Sequence, residues 1–269
     1  MDNPTFQMIQ TITQNRINDL FARKSQGLLN VYFTAGFPEI GATASILRSL
    51  EKAGVDLVEI GMPYSDPVAD GETIQQSNMK ALEDGMSLRL LFEQLAGCRD
   101  EVTVPILLMG YINPVLQFGV EAFCRKCKEV GVDGVILPDL PLDLYLDEYE
   151  PIFREYGLLN IFLITPQTTE ARIRLIDEQT EGFIYMVSSA SITGSQSGVS
   201  DEMLAYFNRI QAMNLRNPRL IGFGIKDSET YQMACQYANG AIIGSAFIRH
   251  LQNGPATEER IQEFVSAIR

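Results

Sequence analysis

The chain has 269 residues, of which 46% are hydrophobic and 20% charged, a composition typical of globular rather than disordered proteins. Its formal net charge of -13 comes with no cluster of Lys and Arg, so we expect no nucleic-acid-binding face. Residues 1–24 lack the continuous apolar region of a signal peptide, and no apolar run reaches membrane-spanning length. We therefore expect a soluble, cytoplasmic protein with neither nucleic-acid nor membrane partners.

Potential ligands for a transition metal are few and scattered. The chain has four cysteines and one histidine: Cys98, Cys124, Cys127, Cys235 and His250. Cys124 and Cys127 form a C-x-x-C, but inside a helical pattern and without a second pair, so a structural helix face is favoured over a redox or metal role. We predict no metal site of the usual nitrogen and sulfur kind.

Short apolar runs alternate with helical patterns along the whole chain. The spacing of apolar residues over 5–23 predicts an opening helix. Eight later runs are predicted to be strands, at residues 28–34, 55–61, 104–109, 134–137, 160–164, 183–187, 219–223 and 241–243. Helical patterns lie between them, at residues 42–53, 88–96, 120–130, 145–156, 169–178, 203–213 and 228–237.

This alternation predicts the fold class. Eight strands separated by helices, with no linker between them, indicate an α/β protein: a (β/α)8 TIM barrel with an extra N-terminal helix, forming a single domain over residues 1–269. Gly54 and Gly131 each follow a helix and precede a strand, as expected of left-handed helix caps. A doubly wound open sheet is the alternative, but its early dinucleotide-binding fingerprint is missing from the sequence.

Two carboxylates mark the end of the second predicted strand and the loop after it. Leu57, Glu59 and Gly61 share one face of that strand. If this face points into the barrel, apolar neighbours raise the pKa of Glu59 towards the range useful for proton transfer, although a structural ion pair is an equally good interpretation. Asp70 is a second candidate, and a turn or a helix N-cap is the commoner use of such an aspartate.

Glycines late in the chain suggest a phosphate site. Gly194 lies in a Ser- and Gly-rich loop over 188–198, Gly224 follows the seventh predicted strand, and Gly244 and Ser245 follow the eighth. In a barrel these loops meet at one end, where backbone N–H groups at a helix start can hold a phosphate. Ordinary turns are the alternative, but the convergence of these loops at one end of the barrel favours a phosphate site.

Several blocks of the sequence resemble the α subunit of tryptophan synthase. The most specific is EIGMPYSDPVADG at residues 59–71, supported by YINP at 111–114, PDLP at 138–141 and GFGI at 222–225. The resemblance runs in order from residue 15 to residue 246. It implies a retro-aldol cleavage of indole-3-glycerol phosphate to indole and glyceraldehyde 3-phosphate, with Glu59 as acid and base and Asp70 on the indole N–H.

The resemblance also implies a set of binding residues. The phosphate would contact Gly194, Gly224, Gly244 and Ser245. The indole pocket would be formed by Tyr32, Met109, Ile136, Leu163, Tyr185, Phe223 and Ile242, although for Ile136 and Ile242 a place in the core is equally expected. Thr193 would close a lid over Asp70. Ser189 and Ser191 depart from the commonest family pattern in this loop, and closure of such a lid often governs turnover.

The resemblance further implies a partner, the β subunit, in an α2β2 heterotetramer. That subunit carries pyridoxal phosphate (PLP), and we expect no cofactor in this chain. The expected contacts come from the loops after the second, third and fourth strands and include Asp66, Pro67, Asn113 and Pro141.

Two other functions stay open at this level. Another phosphosugar enzyme on the same barrel, such as an isomerase or a Schiff-base aldolase, shares the fold. The predicted strands contain no lysine for a Schiff base. A non-enzymatic subunit that only activates a partner is the second alternative, and the two carboxylates argue against it.

Overall fold

A parallel sheet forms the centre of the molecule in the computed structural model, which describes residues 15–68, 70–188, 200–222 and 224–269. Within these ranges, nine short strand segments pair side by side in parallel. They are β1 Leu28–Thr34, β2 Leu57–Gly61, β3 Ile106–Met109, β4 Gly134–Ile136, β5 Leu159–Asn160, β6 Leu163–Ile164, β7 Ile184–Val187, β8 Arg219–Gly222 and β9 Gly240–Ile243. Nearly all of their residues are buried, because both faces of the sheet are covered.

The sheet closes into a barrel because its outermost segments, β5 and β6, are two halves of one strand. β5 pairs with β4, and β6 pairs with β7. Between the halves, the Ile161 N–H donates to the Val135 carbonyl at 2.9 Å, and the Phe162 carbonyl accepts from the Tyr185 N–H at 2.9 Å. Nine segments therefore fill eight strand positions, and the predicted (β/α)8 barrel is confirmed. The strand predicted as one run over 160–164 is divided because its halves bond to different neighbours.

Helices follow most of the strands and cover the outside of the barrel. In the described ranges they are α1 Arg16–Arg23, α2 Thr43–Lys52, α3 Glu72–Glu83, α4 Leu88–Leu95, α5 Ile112–Phe118, α6 Val120–Val130, α7 Leu142–Leu144, α8 Glu150–Glu155, α9 Glu170–Gln179, α10 Asp201–Ala212, α11 Ser228–Tyr237, α12 Ser245–Gln252 and α13 Glu258–Ile268. A π-helical turn, Tyr145–Tyr149, joins α7 to α8. Pro151 lacks the N–H that a regular helix would use there, which explains why the predicted helix over 145–156 is irregular.

Helix α1 closes the N-terminal end of the barrel. The Oδ1 atom of Asn15 caps it by accepting from the Ile17 N–H at 2.9 Å, while its Nδ2 donates to the Asp133 and Gly157 carbonyls at 2.7 and 3.0 Å. Ile17 and Leu20 belong to the apolar cluster inside the barrel. That cluster contains Ile17, Leu20, Leu28, Leu57, Leu107, Ile136, Leu159, Ile161, Phe183, Tyr185, Leu220 and Ile242. The first part of the predicted opening helix lies outside the described residues.

The faces of β2 are oriented as the sequence predicts. Leu57 belongs to the cluster inside the barrel, whereas Val58 and Ile60 belong to the larger core between the strands and the helices. Glu59 follows the alternation, is completely buried, and hydrogen bonds to Asn30 of β1. The barrel therefore presents a carboxyl group to its own interior.

The C-x-x-C pair lies on α6, as predicted. Cys124 and Cys127 are both buried free thiols in the core between α6 and the strands. Burial raises the pKa of the Cys127 thiol well above its usual value and raises that of Cys124 as well. A thiol that stays protonated is a poor nucleophile and metal ligand, so the pair supports packing rather than redox chemistry.

Candidate active site

A cavity of about 300 Å³ opens at the C-terminal end of the barrel. Barrels of this type place their chemistry at that end, on the loops that follow the strands. Its described lining residues are Tyr32, Glu59, Asp70, Gly71, Ile74, Met109, Tyr185, Gly224, Ile225, Ile242, Gly244 and Ser245. The structure thus brings both predicted carboxylates and three of the four predicted phosphate-binding residues to one cavity.

Glu59 lies at the inner end of this cavity with its side chain fully buried. Its Oε1 accepts a hydrogen bond from Asn30 Nδ2, while its Oε2 has no hydrogen-bond partner among the described residues. Burial raises the pKa of Glu59 to about 8, against a smaller lowering by the Asn30 hydrogen bond. At neutral pH most of the population therefore carries a proton that can be donated, and the group can take one back.

Asp70 lines the same cavity from the loop between β2 and α3. Helix α3 is capped by Gly71 without a side-chain hydrogen bond, so the Asp70 side chain does not serve as its N-cap. Gln75 holds the loop instead, because its Nε2 donates to the Asp70 carbonyl at 2.7 Å. Burial raises the pKa of the Asp70 carboxyl, and a hydrogen bond from Tyr111 opposes that change. The carboxyl group is thus held at the cavity wall and available to a ligand.

Tyr111 is a residue that sequence reasoning missed. It is buried, hydrogen bonds to Asp70, and packs against Tyr64 with 5.2 Å between the ring centroids. Asn113 Nδ2 in turn donates to the Tyr64 hydroxyl at 3.3 Å. Asp70 is therefore supported from the loops after β2 and β3, a contact between distant parts of the chain that no local sequence pattern reveals.

Aromatic and aliphatic side chains form the walls of the cavity. Tyr32, Met109, Tyr185 and Ile242 all line it, in agreement with the predicted binding residues. Ile136 belongs to the barrel interior and does not line the cavity, and Leu163 packs against the same interior cluster outside the lining set. These flat, apolar walls suit a planar aromatic ligand.

Two glycines make room for the tyrosine rings. A Cβ atom on Gly61 would overlap the Tyr32 hydroxyl, and one on Gly222 would overlap the Tyr185 hydroxyl. Burial raises the pKa of both tyrosines, so both hydroxyls stay protonated in the neutral range. The glycines at the ends of β2 and β8 therefore have a packing role within the site.

Another part of the cavity lining, formed by Gly224, Gly244 and Ser245, has features that favour an anion. Helix α12 begins at Ser245, and its cap residue Gly244 offers no side-chain acceptor to the first N–H groups of the helix. Gly224 adopts a φ of 77°, a left-handed conformation that favours glycine, and brings backbone to the cavity wall. The N-terminal N–H groups of a helix, together with its dipole, favour a phosphate at this position.

Some predicted site residues cannot be placed. Thr193, Gly194 and Phe223 lie outside the described residues, as do Ser189 and Ser191. Their assignments stay predictions. Conversely, Ile74, Gly71 and Ile225 line the cavity without having been singled out as pocket residues. Gly71 and Ile225 adjoin Asp70 and Gly224 in the sequence, and Ile74 follows Asp70 by four residues, which is the signal that could have identified them.

The residues expected to contact a partner lie in loops at the same end of the barrel. Asp66, Asn113 and Pro141 are exposed, and Pro67 is partly exposed. Large apolar side chains are exposed nearby in sequence, at Val68, Leu116 and Leu144. An exposed apolar group within polar loops is a common feature of interaction surfaces.

The described residues form neither a metal-binding cluster nor a membrane-spanning helix. No group of three or more His, Cys, Asp or Glu side chains in it is arranged to hold a metal ion. Of the described helices, none is long and apolar enough to span a membrane.

Comparison with known proteins gives a consistent result. The sequence model of the tryptophan synthase alpha chain family matches residues 19–268. A tryptophan synthase alpha chain from Flavobacterium johnsoniae is 55% identical over 255 residues, which cover 95% of this chain and 100% of the relative.

Solved structures agree with the sequence comparison. A tryptophan synthase alpha chain from Legionella pneumophila superposes with a TM-score of 0.81 at 30% identity, covering 94% of this chain and 97% of that one. A chain of the tryptophan synthase complex from Pyrococcus furiosus has a TM-score of 0.81 at 33% identity. The match covers 91% of this chain and 98% of that one. The resemblance noted in the sequence is therefore confirmed, and the chain belongs to the tryptophan synthase alpha chain family.

Proposed function

We propose that this chain cleaves indole-3-glycerol phosphate into indole and glyceraldehyde 3-phosphate by a retro-aldol reaction. The observation that carries the proposal is that Glu59 and Asp70 line one cavity with Gly224, Gly244 and Ser245. A proton-transfer group, an aromatic pocket and an anion site are thus combined within reach of one small molecule. The family membership of the chain gives the same substrate.

Glu59 would move the proton. In the reaction, the bond between indole C3 and the first glycerol carbon breaks, C3 gains a proton, and the hydroxyl on that carbon loses one as it becomes an aldehyde. A single carboxyl group can donate the first proton and accept the second, so the cycle returns it to its starting state. Because the pKa of Glu59 is about 8, neither transfer is strongly uphill at neutral pH.

Asp70 would bind the indole N–H and stabilise the positive charge that develops on the ring when C3 is protonated. A negative group fixed before the reaction lowers the energy of such a transition state without reorganising. The hydrogen bond from Tyr111 keeps the carboxyl group in place. Burial raises the pKa of Asp70 and so favours its protonated form, while that hydrogen bond favours the ionised form that this role needs.

The phosphate would bind at the start of α12, with backbone N–H groups and the Ser245 hydroxyl as donors. We propose that Gly194 adds a further backbone contact and that Thr193 and Phe223 complete the site. Binding energy from the phosphate then orients the indole ring between Glu59 and Asp70.

The partner in this proposal is a tryptophan synthase β subunit, in an α2β2 heterotetramer. The loops that carry Asp66, Pro67, Asn113 and Pro141 would form the contact, and PLP would belong to the partner. We further propose that the chain acts as one domain in the cytoplasm. Among the described strands, none carries a lysine, which argues against a Schiff-base aldolase.

The test is release of indole from indole-3-glycerol phosphate by the purified chain, alone and with a β subunit. Glu59→Gln keeps the size of the side chain but cannot transfer the proton, so we expect turnover to fall by roughly 1,000-fold or more while ligand still binds. Glu101→Gln is the matched control, since Glu101 is an exposed residue paired with Arg48 on the surface. Near-normal turnover in Glu59→Gln would contradict the proposed mechanism. Borohydride reduction that fixes the aldehyde product, glyceraldehyde 3-phosphate, onto a lysine would favour an aldolase instead.

A further inference from the structure

Asn30 is a polar residue in the largely apolar interior of the barrel. It lies in the middle of β1, is completely buried, and is paired in register with Leu57 of β2. Its neighbour two residues on, Tyr32, is the residue opposite Glu59. A buried amide costs free energy unless its hydrogen-bonding groups are used, so its presence in this layer calls for a reason.

The amide group contacts Glu59 directly. Asn30 Nδ2 donates to Glu59 Oε1, and this bond joins the two polar side chains that β1 and β2 place inside the barrel at this level. The titratable groups that face Glu59 are the hydroxyls of Tyr32 and Tyr185 and the carboxyl group of Asp70. Among the described residues, Asn30 is the one whose hydrogen bond lowers the pKa of Glu59.

Two buried oxygens of this pair have no hydrogen-bond partner among the described residues. They are Asn30 Oδ1 and Glu59 Oε2. In the structure Glu59 Oε1 accepts from the amide nitrogen, an arrangement that suits the ionised carboxylate. A protonated Glu59 has an O–H to donate, and the amide oxygen is an acceptor on the same planar group, reached by rotation of either side chain. Asn30 Oδ1 is therefore the acceptor that a proton on Glu59 Oε2 would need.

We propose that Asn30 is a positioning residue that holds the Glu59 side chain in the barrel in both of its ionisation states, through its amide nitrogen when Glu59 is charged and its amide oxygen when Glu59 is protonated. This inference deepens the proposed function, on which its catalytic part rests. A group that must act first as acid and then as base needs a partner that suits both forms, and an amide is the simplest side chain that does so.

The first test uses the unmodified chain and needs no turnover. With ¹³C-labelled glutamate and ¹⁵N-labelled asparagine, NMR titration follows the Glu59 carboxyl carbon and the Asn30 side-chain nitrogen, assigned with Glu59→Gln and Asn30→Val. We expect both signals to titrate together with a midpoint near pH 8. An Asn30 signal that is insensitive to the Glu59 titration would overturn the inference.

The second test removes the amide. Asn30→Val deletes the donor to the carboxylate, and we expect the proton affinity of Glu59 to rise roughly tenfold, since hydrogen bonds to charged groups have about this strength. In the indole assay, kcat falls about 10- to 100-fold with little change in KM, and its pH profile moves with the NMR midpoint. Asn30→Ser, which keeps a donor and an acceptor, recovers part of both effects.

The matched control is Asn160→Val. Asn160 is also a buried strand asparagine with an unpaired Oδ1, but it lies on β5, outside the lining of the active-site cavity. We expect this variant to lose stability without changing the Glu59 titration. If Asn30→Val behaves in the same way, Asn30 is only structural and the inference is wrong. If the wild-type chain releases no indole, the proposed function fails, while the titrations still decide whether Asn30 holds Glu59.

Discussion

Each end of the barrel buries a carboxyl group, but the two groups differ in how fully their oxygens are hydrogen bonded. At the N-terminal end, Asp133 accepts from Arg16 Nη1 at 2.9 Å, from the Ile106 N–H at 2.9 Å and from Arg99 Nη2 at 2.5 Å. At the C-terminal end, Glu59 has one hydrogen bond and one oxygen without a described partner. A fully paired buried charge fixes structure, whereas a buried carboxyl group left partly unpaired is available for chemistry.

At the N-terminal end, the effect that we expect is on stability. In Asp133→Asn, one carboxylate oxygen becomes an NH₂ group facing other donors, and the partly buried Arg99 loses its counter-charge. We expect the free energy of unfolding to fall by about 3 kcal/mol, with normal cleavage per folded molecule. Denaturant unfolding measures this change.

Asp143→Asn is the control for that variant, because Asp143 is 72% exposed in its ion pair with Arg172. Its expected change is below about 0.5 kcal/mol. A loss in Asp133→Asn as small as the control's would mean that the comparison between the two ends is wrong.

At the C-terminal end, the effect that we expect is on activity. Asp70→Asn removes the negative charge proposed to stabilise the protonated indole ring, and we expect kcat to fall roughly 100-fold. The variant should unfold at the same denaturant concentration as the wild type, because Asp70 is only half-buried. Asp84→Asn, at the other end of α3 in a surface pair with Lys80, is the control for activity. Equal kcat in Asp70→Asn and Asp84→Asn would exclude the assigned role.

The pH dependence of stability should separate Glu59 from paired carboxylates. The pKa of Glu59 is raised from its ordinary 4.5 to about 8, so the folded state binds the proton more tightly than the unfolded state. Its contribution to stability is fully present below pH 4.5 and is lost as pH rises through 8, by at most about 1.4 kcal/mol per pH unit.

Glu59→Gln cannot ionise and escapes this loss. We therefore expect the variant to gain stability relative to the wild type steadily between pH 5 and pH 8, as measured by urea unfolding at each pH. Asp70 is present in both proteins, so its own raised pKa cancels in the difference. A difference that does not change with pH would show that Glu59 titrates normally.

The smallest effect concerns the start of α12. Ser245→Ala removes one hydroxyl from the cavity wall but leaves the backbone N–H groups in place. We expect KM to rise about three- to tenfold with kcat nearly unchanged, the usual size for one hydrogen bond. Ser228→Ala, at the start of α11, serves as the control. If KM is unchanged in Ser245→Ala, the hydroxyl does not contact the phosphate.

Most of the fold is predictable from the sequence because its signals are local. Apolar runs of strand length alternate with helical periodicity, and Gly54 and Gly131 take the left-handed conformation, with φ of 81° and 77°, at the predicted turns. The divided fifth strand is not predictable in this way, since it depends on which neighbour each half bonds to. Helices α5 and α13 are not among the predicted elements. Helix α5 is too short for a clear period, whereas α13 does have helical spacing of its buried residues, Ile261, Val265 and Ile268, and was predictable.

The site is predictable only in part, for a related reason. Glu59 and Asp70 stand out by their place after a buried strand, and the glycines by their place after late strands. The contacts that tune the carboxylates, from Asn30 to Glu59 and from Tyr111 to Asp70, join residues 29 and 41 positions apart. Such pairs follow from strand register and loop packing, which a single sequence does not specify.

The divided strand has a consequence for how the barrel moves. Both of its ladders have only two paired positions, whereas β1 and β2 share five. The ladder between β8 and β9 is equally short, but β8 shares four positions with β7 and β9 shares four with β1, so each is held firmly on its other side. Local opening of the barrel should therefore begin at the divided strand. In a barrel of eight strand positions, this strand lies opposite β1. The part of the barrel that opens most easily is then farthest from Asn30 and Glu59. Thermal opening there leaves the pairing of β1 with β2, and so the contact between these two side chains, intact.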